Sequence, residues 1–521
     1  MRMRRTLLAL PLLLLAAMGP SAPVMATAMA AEPAPLELRM AVNSLPASLG
    51  NPFRGNGRPG SQVWAAIFDA LTELDEQGRL QPSLATAWEP VGPTVWRFHL
   101  RDDVRFGNGR VFDGDAVTAV MEWLMSPEGR RSVIGNELRG VKAVRTIDPL
   151  VVEMETAEPD PILPKRMAAV MMVEPDLWRQ LGPDGFAQQP VGTGSFLLKG
   201  WDQRRRQAQA VANPYRWRPS AVTGLTFMEL PNAAVRAQAL LSGDVDIAGV
   251  EIDELERLKR NRFPILISPS MQVMSIAFRV EGTAPDAPLR DVRVRQALNY
   301  AIDKQALADV LLEGHAAPAG QPAPSFSFGH DAALAPYPYD PEKARDLLRQ
   351  AGFTNGFPLN AEVVVDSVPA DTLIYQAVAQ YWRAVGVDLT LQIVTFPQYL
   401  RKFLTNSWTA DAFGASWNSS PYNDALRPME VFSCRRPKPF FCDRALADRL
   451  GQVAQIMDDG ERLSGMQALA RDYQQAAPAA FLVDQIDLFS HSPRLANITI
   501  RNRVPDYRTI TRAGGTDQPT E

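Results

Sequence analysis

Histidine and cysteine, the side chains that most often hold metals, are scarce in this chain of 521 residues. There are two cysteines and four histidines, and no two histidines stand near each other at the spacing of metal ligands. Basic residues are not in excess either, since 54 lysines and arginines face 58 aspartates and glutamates. Without a basic excess, little is available to displace the counterions of a phosphate backbone. We therefore predict no metal site, no cofactor and no nucleic-acid partner.

Local motifs of catalysis are also missing. G-x-S-x-G, S-x-x-K and H-E-x-x-H do not occur, although a triad assembled in space would leave no such trace. GNGRPG at 55–60 matches the dinucleotide pattern G-x-G-x-x-G, but Pro46 and Pro52 separate it from the preceding strand. Pro59 also removes an amide donor where a phosphate would bind. We interpret this segment as a surface or cleft loop and predict no catalytic residues.

Long apolar runs are absent beyond the N-terminus, where one short run has the pattern of an export signal. Three arginines precede LLALPLLLLAAM, which is about a dozen residues long and too short to span a bilayer. Small residues in ATAMAAE predict cleavage after Ala30 or Ala31, so residues 1–31 are a predicted signal peptide. The adjacent arginine pair leaves the twin-arginine route open beside general secretion. Because no cysteine lies near the cleavage site, we predict a periplasmic protein that is not a lipoprotein.

The two cysteines lie close together in the proline-rich segment SCRRPKPFFCD. Cys434 and Cys442 are eight positions apart, and an exported protein meets an oxidising compartment. We predict a disulfide between them, with two free thiols as the alternative. Closing so short a loop would stabilise the fold by roughly 2–3 kcal/mol on the chain-entropy model.

A length of 521 residues is too great for one core and predicts two or three domains, and hydrophobic spacing indicates both strands and helices, as in an α/β protein. Residues 36–44 form a predicted first strand and residues 61–74 a predicted helix. Asp113 and Asp340 stand where helix N-caps are expected, and the second is followed by proline at the first helical position. Between residues 360 and 394 the order strand, helix, strand is a βαβ unit, which predicts parallel pairing.

Seven segments together resemble one family, the extracytoplasmic solute-binding proteins of family 5. This is the peptide, nickel and oligopeptide class that feeds ABC transporters. The segments occur in the family's order across most of residues 36–490. They are IFDALTELDEQGRLQPSLATAWE, WRFHLRDDVRFGNGRVFDGDAV, PVGTGSF, NPYRW, LLSGDVDIA, VRQALNYAIDKQALADVLLEGHAAP and YDPEKARDLLRQAGF. One departure is Asp113, which fills a place where the family usually has threonine or serine.

The resemblance implies a two-lobe α/β fold of periplasmic binding proteins, type II-like, with hinge strands and an extra subdomain inserted in lobe I. We place lobe I at 32–270, with the inserted subdomain at about 52–188. Lobe II is placed at 271–489, and residues 490–521 return to lobe I. Ligand would bind between the lobes and draw them closed by hinge motion. The closed protein, expected to be a monomer, would then dock on the permease subunits at the membrane.

The candidate ligand contacts are loops that would face the cleft between the lobes. In lobe I they follow the first strand, include a possible positive partner at Arg58 or Arg54, and include glycines that allow close backbone approach. In lobe II they include the end of the EVVV strand and a segment rich in aromatic and small polar residues. The predicted site is Asn43, Ser44, Arg58, Gly192, Thr193, Gly194, Asp366, Trp408, Trp417, Asn418, Ser419, Ser420 and Tyr422.

Two positions depart from the peptide-binding members of the family. Those relatives carry an aspartate three residues after a lobe II tryptophan, where this chain has Ser420, and dipeptide binders carry an arginine near Asp366 and Ser367. A buried ligand charge without a partner costs several kcal/mol, so a zwitterionic dipeptide is disfavoured. A ligand held by stacking and neutral hydrogen bonds, or a longer peptide gripped by its backbone, fits better. Asp366 either meets a cationic ligand group or is a solvent-exposed acid.

These patterns predict the solute receptor of an ABC importer that takes up a peptide-like or other small polar solute. Two alternatives stay open, an exported hydrolase with an undetected catalytic site and a ligand-sensing receptor for a signalling partner. Substrate turnover would favour the hydrolase. The chain shows no helix-turn-helix and no later membrane span, so a sensor would need a separate partner.

Overall fold

Strands and helices alternate along the chain, and two long strands connect its two lobes. The computed structural model describes residues 35–55, 58–365, 367–436 and 438–514, without the side chains of residues 58 and 59. The strands are β1 Leu36–Val42, β2 Thr72–Leu74, β3 Leu80–Pro82, β4 Ala85–Gly92, β5 Val95–Leu100, β6 Val141–Asp148, β7 Val151–Thr156, β8 Phe196–Asp202, β9 Gln207–Ala212, β10 Val222–Glu229, β11 Ile247–Gly249, β12 Ile265–Phe278, β13 Phe357–Val363, β14 Val387–Ile393, β15 Ala412–Asn418, β16 Ala479–His491, β17 Leu495–Ala496, β18 Ile500–Arg501, β19 Val504–Pro505 and β20 Thr511–Arg512.

Fifteen helices lie between the strands in the described part of the chain. They are α1 Arg58–Ile67, α2 Gly114–Met125, α3 Val133–Glu137, α4 Leu163–Arg166, α5 Pro175–Gln188, α6 Ala233–Ser242, α7 Leu255–Arg260, α8 Val292–Tyr300, α9 Lys304–Ala306, α10 Pro341–Gln350, α11 Asp371–Arg383, α12 Phe396–Thr405, α13 Leu426–Val431, α14 Arg444–Val453 and α15 Asp459–Ala476. Within the described ranges, none of these helices combines the length and the apolar character that crossing a membrane requires.

A ten-stranded mixed sheet runs through both lobes in the order β14-β13-β15-β12-β16-β11-β1-β10-β9-β8. The central strands β12 and β16, of 14 and 13 residues, pair antiparallel and are the hinge strands between the lobes. Lobe II lies on the β14 side, where β13 and β14 are parallel, which confirms the predicted βαβ unit. Lobe I lies on the β8 side, where β1 pairs in parallel with both β10 and β11.

The inserted subdomain has its own antiparallel sheet in the order β4-β5-β7-β6, and α2–α5 accompany it. Phe98, Val152 and Met154 are fully buried between this sheet and the helices. The two-lobe fold with an inserted subdomain is thus as predicted. The residues at which each lobe begins and ends stay predictions, and the predicted signal peptide and Asp366 lie outside the described residues.

Side-chain caps begin the helices as their sequences predict. Asp113 accepts a hydrogen bond from the amide of Ala116 at 3.2 Å, and Asp340 accepts one from Lys343 at 2.8 Å. Each carboxylate thereby satisfies one of the amides left free at a helix start.

The predicted helix at 61–74 is wrong in its second half. Helix α1 ends at Ile67, and Thr72–Leu74 is strand β2. The amide of Ala85 donates to the carbonyl of Leu71 at 2.8 Å, so long-range pairing takes the backbone bonds that a longer helix would use.

A cluster of aromatic rings fills one side of lobe II, and we call it the aromatic cluster. Its rings meet at centroid distances of 4.1–5.8 Å in stacked and edge-on pairs, geometries that favour close ring packing. It consists of Trp408, Phe413, Trp417, Phe432, Phe440, Tyr473 and Phe481. Cys434 and Cys442 are joined by a disulfide, and the loop that it closes carries Phe440 of the cluster.

Candidate functional site

The segment AFGASWNSSPYND, residues 412–424, begins as strand β15 and continues as a loop toward lobe I. Trp417 pairs with Val273 of hinge strand β12, and the Ser419 amide donates to the Met271 carbonyl at 2.8 Å. The hinge strand therefore positions the loop directly. The loop then reaches the inserted subdomain, because the Arg166 guanidinium lies 5.3 Å from the ring centroid of Tyr422.

The two predicted tryptophans belong to the aromatic cluster. Trp417 is fully buried and stacks on Phe432 at 4.1 Å, and Trp408 stacks on Phe413 at the same distance. Their rings therefore form part of the core of lobe II in this closed arrangement. Contact of either ring with a ligand stays a prediction.

Three buried polar groups of the same segment lack a hydrogen bond of good geometry in the described part of the chain. One is the Tyr422 hydroxyl, which interacts with the Glu137 carboxylate. The other two are the Trp417 indole Nε1 and the Ser419 hydroxyl. An unpaired buried polar group is costly, so native proteins rarely leave one without protein or water beside it. These two groups point to a partner that the described residues do not supply.

Ser420 and Asn418 are occupied by hydrogen bonds. The Ser420 hydroxyl donates to Asn502 Oδ1 at 3.2 Å, and its amide donates to Asn418 Oδ1 at 2.8 Å. Since Asn502 lies in the C-terminal part of the chain that returns to lobe I, this contact joins the two lobes.

The predicted lobe I residues include two that follow β1 and two glycines that pack against the end of helix α1. Asn43 and Ser44 are half-buried just after β1. A Cβ added at Gly192 would lie 2.2 Å from the carbonyl oxygen of Ile67, and Gly194 donates to that same carbonyl at 2.9 Å. The close approach that these glycines allow is made to α1, and contact with a ligand stays a prediction.

Thr193 and Arg54 each bond to a different carboxylate of lobe I. Thr193 Oγ1 donates to Asp69 Oδ2 at 2.9 Å, and Asp69 lies in the wall of a cavity. Arg54 pairs with Asp184 at 2.6 Å, so that guanidinium already has a carboxylate partner. The Arg58 side chain and Asp366 lie outside the described residues.

A cavity of about 160 Å³ in lobe I was not predicted from the sequence. Its walls come from the end of α1, strand β2, residues 168 and 171 of the subdomain and the C-terminal segment 501–508. Apolar walls such as Phe68 and Met171 face charged ones. Asn502 is also in the wall, so the cavity lies beside the contact with Ser420.

Both signs of charge meet in this cavity. Glu73 accepts from Arg218 at 2.8 Å and from Arg501 at 3.2 Å, and Asp506 accepts two bonds of 2.7 Å from Arg508. Burial raises the pKa of Glu73, against the opposing charge of Arg508 and Arg501. Burial also raises the pKa of Asp506 to about 6, although Arg501 opposes it. The cavity can therefore meet either charge on a solute.

The described residues contain no group of three or more histidine, cysteine or acidic side chains placed to hold a metal ion. The site offers hydrogen bonds, paired charges and apolar walls in lobe I, beside the Asn502 side chain that the lobe II loop contacts.

Two α/β lobes joined by a pair of long strands, with a subdomain inserted in the first lobe, are the architecture of a periplasmic binding protein. The family model of the bacterial extracellular solute-binding proteins, family 5 Middle, matches residues 79–438. The chain belongs to this family. It is accordingly a non-enzymatic substrate-binding component of the kind that serves ABC importers.

Known proteins agree with this assignment. The glutathione-binding protein GsiB of Shigella dysenteriae serotype 1 is 26% identical over 473 residues, covering 86% of this chain and 89% of the relative. NikA from Brucella suis in complex with Fe(III)-EDTA superimposes with a TM-score of 0.79 at 20% identity, covering 92% of this chain and all of the other. The dipeptide-binding protein from Pseudoalteromonas sp. SM9913 in complex with Met-Leu has a TM-score of 0.78 at 18% identity, covering 92% and 100%. Likeness at these identities shows the fold.

Proposed function

We propose that this protein captures a small polar, peptide-like solute in the periplasm and delivers it to the permease subunits of an ABC importer. Export would follow from the signal peptide at residues 1–31, and the mature protein would act as a monomer. The observation that carries the proposal is the Ser420–Asn502 contact at 3.2 Å. It brings the lobe II loop to the edge of the lobe I cavity, so closure of the lobes would cover a solute bound there.

The size of the cavity favours a compact solute or one end of a longer one. Pockets that enclose a drug-sized ligand measure about 300–1,000 Å³, roughly two to six times the cavity here. The buried Ser419 hydroxyl and Trp417 indole nitrogen would add neutral hydrogen bonds from lobe II. A solute between them would gain polar partners from both lobes.

The charges indicate how a peptide-like solute would differ from the dipeptides of related proteins. Ser420 brings no charge, and its hydroxyl is already bonded to Asn502. Charged anchors come instead from lobe I, where Glu73 and Asp506 face Arg501 and Arg508. Reduced glutathione is the first compound to test in binding assays, because a relative at 26% identity is named for binding it.

Native mass spectrometry of protein purified from its own cells tests the proposal. We expect a small polar molecule to copurify, and titration of that molecule to change tryptophan fluorescence without chemical turnover. Reduced glutathione, Met-Leu and a tetrapeptide would be titrated beside it as defined probes. Hydrolysis of any of these would favour an enzyme. Binding with no effect on an importer reconstituted with its permease would favour a sensor.

A further inference from the structure

Lobe II meets the inserted subdomain through buried charges of opposite sign. Lys165 Nζ of helix α4 lies 3.1 Å from Asp424 Oδ2 in lobe II, and the same oxygen accepts from Arg462 at 2.9 Å. Asp424 and Arg462 are almost completely buried. Both cations also lie over the ring of Phe328, at 4.5 and 3.8 Å from its centroid. Asp424 thus has one partner inside lobe II and one across the boundary.

A second pair crosses the same boundary. Arg427 of lobe II donates to Glu137 Oε1 of helix α3 at 2.7 and 3.2 Å, and both side chains are about 15% exposed. Burial alone would raise the pKa of Glu137, but the charge and hydrogen bonds of Arg427 outweigh it, and the pKa is lowered. The ionised form of Glu137 is therefore the one that fits this interface.

Further hydrogen bonds and one apolar contact lie along the same boundary. Asn423 Nδ2 donates to the Gly78 carbonyl at 3.1 Å, and Gln455 Nε2 donates to Glu158 at 2.9 Å. Ile162 of the subdomain packs against the aromatic cluster. The surface that lobe II covers thus belongs largely to the subdomain and to the turn that holds Gly78.

We infer that the inserted subdomain is the docking surface for lobe II, and that Glu137 and Lys165 are positioning residues that hold the closed form. When the lobes separate, Asp424 keeps Arg462, whereas Glu137 and Arg427 lose each other. The two pairs therefore contribute differently to the stability of the closed form. A desolvated pair across an interface fixes the register of two surfaces and slows their separation. This role does not depend on which solute is bound, so it can fail or succeed independently of the proposed function.

Disulfide trapping measures closure without any solute. A Cβ built at Gly78 lies 3.3 Å from Asn423 Cβ, close to the separation that a disulfide spans. The double variant Gly78→Cys with Asn423→Cys should cross-link under mild oxidation in proportion to the closed population. Mass spectrometry would confirm that Cys434 and Cys442 remain paired with each other.

Charge substitutions in this cross-linking variant then test the docking surface. Glu137→Arg should slow cross-linking at least tenfold, because two guanidinium groups would face each other. Adding Arg427→Glu should restore the rate, because the two facing charges are again opposite. A variant that slowed cross-linking only by disturbing the fold would not be rescued in this way. Lys165→Glu should slow it as well, but Asp424→Lys should not rescue it, since Arg462 would then lose its carboxylate. Glu155→Arg is the control, because Glu155 pairs with Arg145 within the subdomain.

A second measurement avoids new cysteines. Small-angle X-ray scattering of Glu137→Arg in an otherwise unchanged chain should give a larger radius of gyration than the parent, and Arg427→Glu should reverse the increase. Glu137→Gln serves in place of Glu137→Arg if the latter fails to fold. Equal cross-linking rates in the parent and in Glu137→Arg, or equal radii of gyration, would overturn the inference.

Discussion

The aromatic cluster of lobe II and the charged cavity of lobe I are both candidate binding regions, and they are built in opposite ways. In lobe II the rings of Trp417 and Phe432 stack at 4.1 Å and leave no room between them. In lobe I, Glu73, Arg501 and Asp506 surround a cavity of about 160 Å³. The aromatic residues of lobe II thus form core, whereas the open space in lobe I is lined by charges. The solute is expected where space and polar groups coincide.

The largest effect is expected at Trp417, where a role in the core and a role in the binding site predict different outcomes. Trp417→Ala should lower the free energy of unfolding by about 3–5 kcal/mol, because a fully buried ring leaves a cavity behind. Denaturant unfolding monitored by circular dichroism measures the change. The half-buried Trp88 is the control, and Trp88→Ala should cost clearly less. A loss of stability below about 1 kcal/mol, combined with weaker solute binding, would mean that the Trp417 ring serves the binding site and contributes little to the core.

The next effect concerns the disulfide that closes the loop beside the aromatic cluster. Replacing both Cys434 and Cys442 by serine should lower the free energy of unfolding by about 2–3 kcal/mol, since the unfolded chain regains loop entropy. The lobe I cavity lies elsewhere, so solute affinity of the folded variant should be unchanged. Calorimetry measures both quantities. Lost affinity in a fully folded variant would show that the two regions are coupled.

A smaller effect is expected inside the cavity at Glu73. Glu73→Gln removes the charge that Arg218, Arg501 and Arg508 share. Because burial raises the pKa of Glu73 in spite of these partners, the neutral side chain should change the free energy of unfolding by less than about 1 kcal/mol. It should also change affinity for the copurifying solute at least tenfold, about 1.4 kcal/mol. Glu76→Gln is the matched control, because Glu76 is exposed in the neighbouring turn. Equal affinity in both variants would argue against the cavity as the binding site.

The smallest effect is expected on the hinge strand that joins the two regions. Burial raises the pKa of Asp484 on β16 to about 7, although its hydrogen bonds with Ser325 oppose this. The folded protein therefore holds a proton that the unfolded chain releases near pH 4, and its stability falls as pH rises from about 4 to 7. Asp484→Asn should be more stable than the parent by on the order of 1 kcal/mol at pH 8.

Thermal melts across this pH range check the sign for Asp484. The advantage of the asparagine variant should shrink as pH falls from 7 toward 4, where the parent aspartate becomes neutral as well. A variant that is less stable than the parent at pH 8 would mean that the ionised carboxylate has a stabilising partner.

Much of the fold was accessible from sequence because its signals are local. The N-caps at Asp113 and Asp340 involve residues three positions away, and the parallel pairing of β13 and β14 follows from the right-handed βαβ connection. The helix predicted at 61–74 failed because the Leu71 carbonyl bonds to Ala85 across a turn. Periodicity within a window carries no information about such a partner.

The candidate site was less accessible. The segment around Ser420 was identified as a lobe II loop, but its partner Asn502 is 82 positions away. The cavity is assembled from segments that begin at residue 61 and end at residue 508. Of the predicted residues, Thr193 was brought beside it through Asp69, and the two tryptophans were placed in the core.

Residue type and neighbours within a few positions were enough to indicate the family, the alternation of strands and helices and the export pattern. Which rings are buried and which charges pair emerged from the folded chain, because Lys165 and Asp424 are 259 positions apart. The energy of such a pair depends on distance and on exclusion of water, and both are set by how the lobes close.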